Sequence, residues 1–145
     1  MTLADVDKYL NAFENTLKEF DIDLGSKTSS RLLTSSIWMQ DKLEMKLNNQ
    51  LKPLLDALIR LKAEPNDSGI ENNLNTSIKH SKELLRTMED LLMTYKQAAG
   101  ITDMKIKWAH SLQKMKQDTT HLRNRVNIIK GMKSRENDPR NWLPF

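Results

Sequence analysis

The residues best equipped for chemistry are three histidines, His80, His110 and His121, and their spacing does not assemble a reactive site. None stands four residues from another on a helical face, and neither an H-x-E nor an H-E-x-x-H pattern occurs. His110 and His121 share a helical face but lie about 16 Å apart by helical rise, too far for one zinc ion to bridge. Asp21-Ile22-Asp23-Leu24-Gly25 looks superficially like a calcium loop. The sixth and twelfth positions, where glycine and a bidentate glutamate are needed, hold Ser26 and Leu32. Ser111-Leu112-Gln113-Lys114 has S-x-x-K spacing without the supporting motifs of an acyl enzyme. Two glycan-acceptor triplets, Asn66-Asp67-Ser68 and Asn75-Thr76-Ser77, carry no meaning without a secretory signal. Cysteine is absent, which removes disulfides and thiolate chemistry, and there is no glycine-rich phosphate loop. The expectation is a protein with no catalytic, cofactor-binding or metal-ligating residues.

Binding chemistry has two candidates. Residues 96–135 carry ten Lys and Arg against Asp103 and Asp118, a net of +8, whereas residues 1–25 carry six acids against Lys8 and Lys18, a net of −4. The basic set Lys105, Lys107, Lys114, Lys116, Arg123, Arg125 and Lys130 could meet an acidic protein, a nucleic acid or an anionic lipid surface. It could equally lie beside the acidic N-terminal segment of its own chain. Nucleic-acid reading usually adds aromatic groups, and Trp108, the aromatic within this stretch, falls on the apolar seam. The second candidate is Trp142, Leu143 and Phe145, apolar anchors in a tail that Pro139 and Pro144 keep from continuing as helix. Such a tail suits docking into a partner's groove, or capping its own bundle.

Helices must position these residues. Leu3, Val6, Leu10, Phe13, Leu17, Phe20 and Leu24 recur at alternating steps of three and four, a narrow apolar seam over residues 2–24. A second helix is expected over 30–62, with Met39, Leu43, Leu47, Leu51, Leu54, Leu58 and Leu61 inward. Its steps of four around Leu43 form a stutter, and Pro53 predicts a kink or short break near Asn48-Asn49. Glu64-Pro65-Asn66-Asp67-Ser68-Gly69 is a turn. A third helix follows over 69–99 on Leu74, Ile78, Ser81, Leu85, Met88, Leu92 and Tyr95. After Gly100 the phase slips, and a fourth helix runs over 102–133 on Met104, Trp108, Leu112, Met115, Thr119, Leu122, Val126 and Ile129. Residues 134–145 are expected to form an extended tail.

With 29% charged residues, four Gly and four Pro, the composition suits long helices rather than sheet. The fold expected is all-α: an elongated helical hairpin or bundle of three to four long helices, residues 1–133, with coiled-coil-like seams. No stretch reaches the roughly eighteen apolar residues of a membrane span, and the acidic start (Asp5, Asp7) does not resemble a signal peptide. A soluble, intracellular protein, cytoplasmic or nuclear, is expected. Polar interruptions such as Ser81 and Thr119, with seams of uneven width, suggest apolar surface left over for a partner. The function expected is therefore a non-catalytic scaffold or adaptor subunit that packs with other helical or coiled-coil proteins as a homo- or hetero-oligomer. The alternative is a nucleic-acid-associated protein using the basic fourth helix.

Overall fold

Four helical rods carry the seams, and a computed structural model describes their backbone at residues 2–25, 37–97 and 101–136. The first, α1, spans Thr2–Gly25. Val6, Leu10, Phe13, Leu17 and Phe20 are buried, and Leu3 is half-buried against the same core. At its start the Thr2 hydroxyl donates to Glu64 Oε1 at the end of the second rod, 3.4 Å away.

The second rod is two α-helices, α2 (Ile37–Lys46) and α3 (Lys52–Ala63), joined by one π-turn at Leu47–Leu51. Pro53 explains the turn. In a regular helix its ring would press on the carbonyl of Asn49 and leave that carbonyl unpaired. Widening the turn lets Lys52 N–H bond to Leu47 C=O five residues back, so the rod continues where the sequence predicts a kink or break. The extra residue also absorbs the stutter, and Met39, Leu43, Leu47, Leu51, Leu54, Leu58 and Leu61 all remain buried. Thr16 of α1 pins the turn from outside by donating to Gln50 Oε1 at 2.9 Å.

A tight connection follows. Asn66 Nδ2 donates to Leu61 and Glu64 carbonyls, satisfying the end of α3. Asp67 caps α4 (Ser68–Lys96) by accepting from Ile70 N–H at 3.0 Å. The buried face of α4 is broader than its expected seam. Ser77, Leu84, Thr87 and Leu91 are buried, while Ile78 and Leu85 are only half-buried. Because α4 packs on both α3 and α5, it needs a stripe wide enough for two neighbours rather than one narrow line.

The last rod, α5, spans Ile101–Glu136, three residues beyond the expected end at 133. Nothing between 133 and 136 breaks a helix; Pro139 lies further on. At 36 residues α5 is the longest element, about 54 Å by helical rise. Its seam from Met104 to Ile129 is buried as the spacing predicts. Gly131 sits in this helix, and a Cβ there would meet only the Arg135 guanidinium at 3.8 Å. Gly131→Ala is therefore expected to stabilise the protein by about 0.5–1 kcal/mol through helix propensity, read as a higher urea midpoint.

The rods close a ring: α1 packs on α3 and α5, and α4 packs on α3 and α5. Cross-rod pairs run in opposite order along each interface, such as Asp7 with Lys130 and Asp21 with Lys116, or Asn73 with Arg125 and Asp90 with Lys107. Neighbours are thus antiparallel, the chain reverses direction between α4 and α5, and the architecture is an all-α four-helix bundle. All four seams share one core, topped by an aromatic cluster: Trp108 meets Phe20 edge-to-face at 5.0 Å and donates its indole N–H to the Tyr95 hydroxyl at 2.7 Å. Burial pushes the Tyr95 phenol up to about 12, the Trp108 hydrogen bond opposing it only in part. The surplus apolar surface expected for a partner is not a continuous seam. Among the described residues the large exposed apolar side chains are Ile22, Met45, Ile59, Met93, Ile106 and Ile128, distributed over all four rods. Among the described residues no helix is long and apolar enough to cross a membrane.

Candidate interaction surface

The fold divides the basic face of α5 in two. One edge faces α1, whose Asp7, Glu14 and Asp21 recur every seven residues and so line one side of that helix. Lys116 pairs with Asp21 at 2.7 Å and Lys130 with Asp7. Arg123, its side chain only 19% exposed, donates to Glu14 at 2.6 Å, to Asp7 at 2.9 Å and to Asn11. Burial works against the Asp7 carboxylate, but Lys130 and Arg123 outweigh it and hold the group below its ordinary value. The Arg123 guanidinium is held above its own, chiefly by Glu14. The acidic and basic ends of the sequence thus satisfy each other. Converting Asp7 to Asn and Glu14 to Gln uncovers this edge, and retention on a heparin column is expected to rise; unchanged retention would mean the ion pairs do not mask it.

The other edge of α5 faces α4 and carries a polar ladder. Arg125 donates to Asn73 Oδ1 at 3.1 Å, Lys114 pairs with Glu83 at 3.5 Å, and Lys107 pairs with Asp90 at 2.9 Å. Between Arg125 and Lys114 lies a step formed by His80, Asp118 and His121. The two imidazoles stack with centroids 5.3 Å apart and planes 15° from parallel. His80 Nδ1 stands 3.6 Å from Asp118 Oδ1, beyond hydrogen-bond length. Next to them in sequence, Ser81 and Thr119 are buried, and their hydroxyls, like Asp118 Oδ2, have no protein partner. A stacked pair does not aim its nitrogens at a common point, and among the described residues no three His, Asp or Glu converge as metal ligands. His110, expected to share a face with His121, is exposed further along the groove.

Beyond the ladder the α4/α5 groove opens into a cleft of about 280 Å³ lined by Arg86, Thr87, Asp90, Lys107, His110, Ser111 and Lys114. A second cleft, about 510 Å³, lies where α1 begins and α3 ends, between Leu3, Asp7, Leu61, Glu64, Lys130 and Lys133. Its charged groups are already engaged: Lys130 with Asp7, and Lys133 with Glu64 and Asn66.

The site residues expected from sequence are therefore sorted by the tertiary fold. The N-terminal seam Leu3, Val6, Leu10, Phe13, Leu17 and Phe20 faces the bundle's own interior. Lys116, Arg123 and Lys130 are committed to α1, while Lys107, Lys114 and Arg125 line the α4 side. Lys105 is exposed on α5. Trp142, Leu143 and Phe145 lie outside the described residues. Sequence reading missed the α4 half of the groove. Its signal was a polar stripe beside the seam, Asn73, His80, Glu83, Thr87 and Asp90, at helical spacing. No protein-family model matches this chain, and no curated protein or solved structure is significantly similar to it.

Proposed function

We propose that this protein is a non-catalytic adaptor subunit that joins other helical or coiled-coil proteins in a complex. The observation carrying the reading is a core closed within one chain beneath long antiparallel rods, which leaves extended inter-helix grooves as the surface on offer. Grooves between helices accept further helices by the same side-chain interdigitation that holds the bundle together. The decisive experiment isolates the native assembly from its source cell and rebuilds it from purified parts. A stoichiometric complex with at least one helical partner is expected. A chain that remains alone at its cellular concentration, with no reconstituted partner, defeats the reading. Association with nucleic acid through α5 is the competing reading; it draws on the same Lys107, Lys114 and Arg125, and a salt titration against random duplex DNA reads it out by its steep slope.

A further inference from the structure

We propose that the tail of this chain, residues 137–145, folds back into the cleft between the start of α1 and the end of α3 and seats Trp142 there. Position supplies the first argument. Lys133 and Lys130 form one wall of the cleft, and they stand about one and two turns before Glu136, where α5 ends. Six residues lead from Glu136 to Trp142, enough to span about 20 Å, while Lys130 lies only about 9 Å back along the helix. Pro139 disfavours helical backbone at Asp138, so the chain leaves the axis of α5 early enough to turn back. The stretches 26–36 and 98–100 are no rivals for the cleft. They join rods at the opposite end of the bundle, beyond the pairs Asp21–Lys116 and Asp90–Lys107, whereas the cleft lies beside Asp7 and Lys130.

The chemistry of the lining supplies the second. The floor of the cleft is apolar, made of Leu3, Ala4 and Leu61. Lys130 turns its ammonium to Asp7, and Lys133 turns its own to Asn66 and Glu64. The charges of the walls are thus balanced within the cleft, and what the lysines offer an occupant is their hydrocarbon stems. A neutral, apolar occupant suits such a lining. In the tail Asp138 and Arg140 cancel, and Trp142, Leu143 and Phe145 are large apolar groups. At about 510 Å³ the cleft lies within the range of about 300–1,000 Å³ that takes a drug-sized molecule, which leaves room for an indole and a second side chain beside it.

Attachment makes a modest contact sufficient. A tethered group meets its site at an effective concentration on the order of millimolar, so Trp142 does not need the affinity that a separate peptide would. Filling the cleft also covers Leu3, which is only half-buried against the core. The tail then closes the bundle at the end opposite the aromatic cluster of Phe20, Tyr95 and Trp108.

The test uses the full chain, which has no cysteine, so that one introduced cysteine carries a single nitroxide label. Lys8→Cys places the label on α1 one turn from Ala4, at an exposed position. Ile22→Cys places it about 21 Å further along the same helix, again exposed. The indole N–H signal of Trp142, identified by its loss in Trp142→Ala, is expected to be broadened by the first label at any protein concentration and left sharp by the second. Trp142→Ala/Leu143→Ala/Phe145→Ala should lower the urea midpoint. Ala4→Trp, which fills the cleft, should release Trp142 from the first label while circular dichroism shows the bundle intact. Broadening that fades on dilution would mean that the tail of a second copy occupies the cleft, and it overturns the proposal. So does a sharp Trp142 signal in the free chain labelled at Lys8→Cys, the result expected of a tail kept for a partner, and so does an unchanged urea midpoint in the triple variant. A helical partner can assemble on the remaining faces in each of these cases, so the adaptor reading is decided separately, by reconstitution.

Discussion

Trp108→Ala is expected to cost about 3–5 kcal/mol, the range for removing a large aromatic from a closed core, and to bring a domain of ordinary stability close to unfolding. Trp108 is fully buried and ties three rods together through Phe20, Tyr95 and its own helix. Urea denaturation followed by circular dichroism reads the loss directly. The hydrogen bond can be separated from the packing. Tyr95→Phe leaves the indole N–H buried without an acceptor and is expected to cost about 1–3 kcal/mol. Trp108→Phe removes the donor and some volume. The Tyr95→Phe/Trp108→Phe double variant is then expected to cost less than the two singles together, because no orphaned donor remains. Strict additivity would mean that the 2.7 Å contact contributes nothing of its own.

Arg123→Ala is expected to cost about 2 kcal/mol, between the near-zero value of exposed pairs and the 3–5 kcal/mol of breaking a fully buried one. The side chain serves Asp7, Glu14 and Asn11 at once, so its loss takes the guanidinium from two carboxylates, of which Asp7 keeps Lys130. Arg125→Ala, on an exposed residue of the same helix, is expected to stay within about 0.5 kcal/mol. The pH dependence follows from Asp7. Its folded value lies below the ordinary 3.8, so the ionised form stabilises the native state at neutral pH. That contribution is lost as pH falls below about 4 and through the folded value, when the native carboxylate takes up its proton. Urea midpoints measured from pH 7 down to pH 2 should fall along this acid limb, and Asp7→Asn should flatten it. An Asp7→Asn profile that keeps the full wild-type slope would place the acid sensitivity elsewhere.

Much of the bundle was legible in the chain. The seam residues from Val6 to Phe20 in α1 and from Met104 to Ile129 in α5 are buried, since an isolated seam is set by the helix period alone, while Leu3 is half-buried and the Leu24 side chain lies outside the described residues. The turn at 64–69 follows from its own local chemistry, and Asp67 and Asn66 act within a few residues of themselves. The α4 face was legible only in part, because a helix between two neighbours buries a stripe whose width depends on where those neighbours stand. Pro53 announced a disturbance, and its form as a π-turn that keeps the seam inward required the surrounding core and the Thr16 contact.

What the sequence by itself determined is the helical class, the inward seam of every rod except α4 and the opposite charge of its two ends, all of which follow from periodicity and composition. Only the tertiary structure decided which charges meet. Packing α1 antiparallel along one edge of α5 consumes Lys116, Arg123 and Lys130, while the α4 side keeps Lys107, Lys114 and Arg125 beside Glu83, Asp90 and Asn73. The stacking of His80 on His121, forty-one positions apart, is of the same kind. Helical periodicity assigns a residue to a face, but which rod covers that face depends on how four amphipathic stripes close together around one core, and that choice belongs to the whole chain rather than to any local stretch.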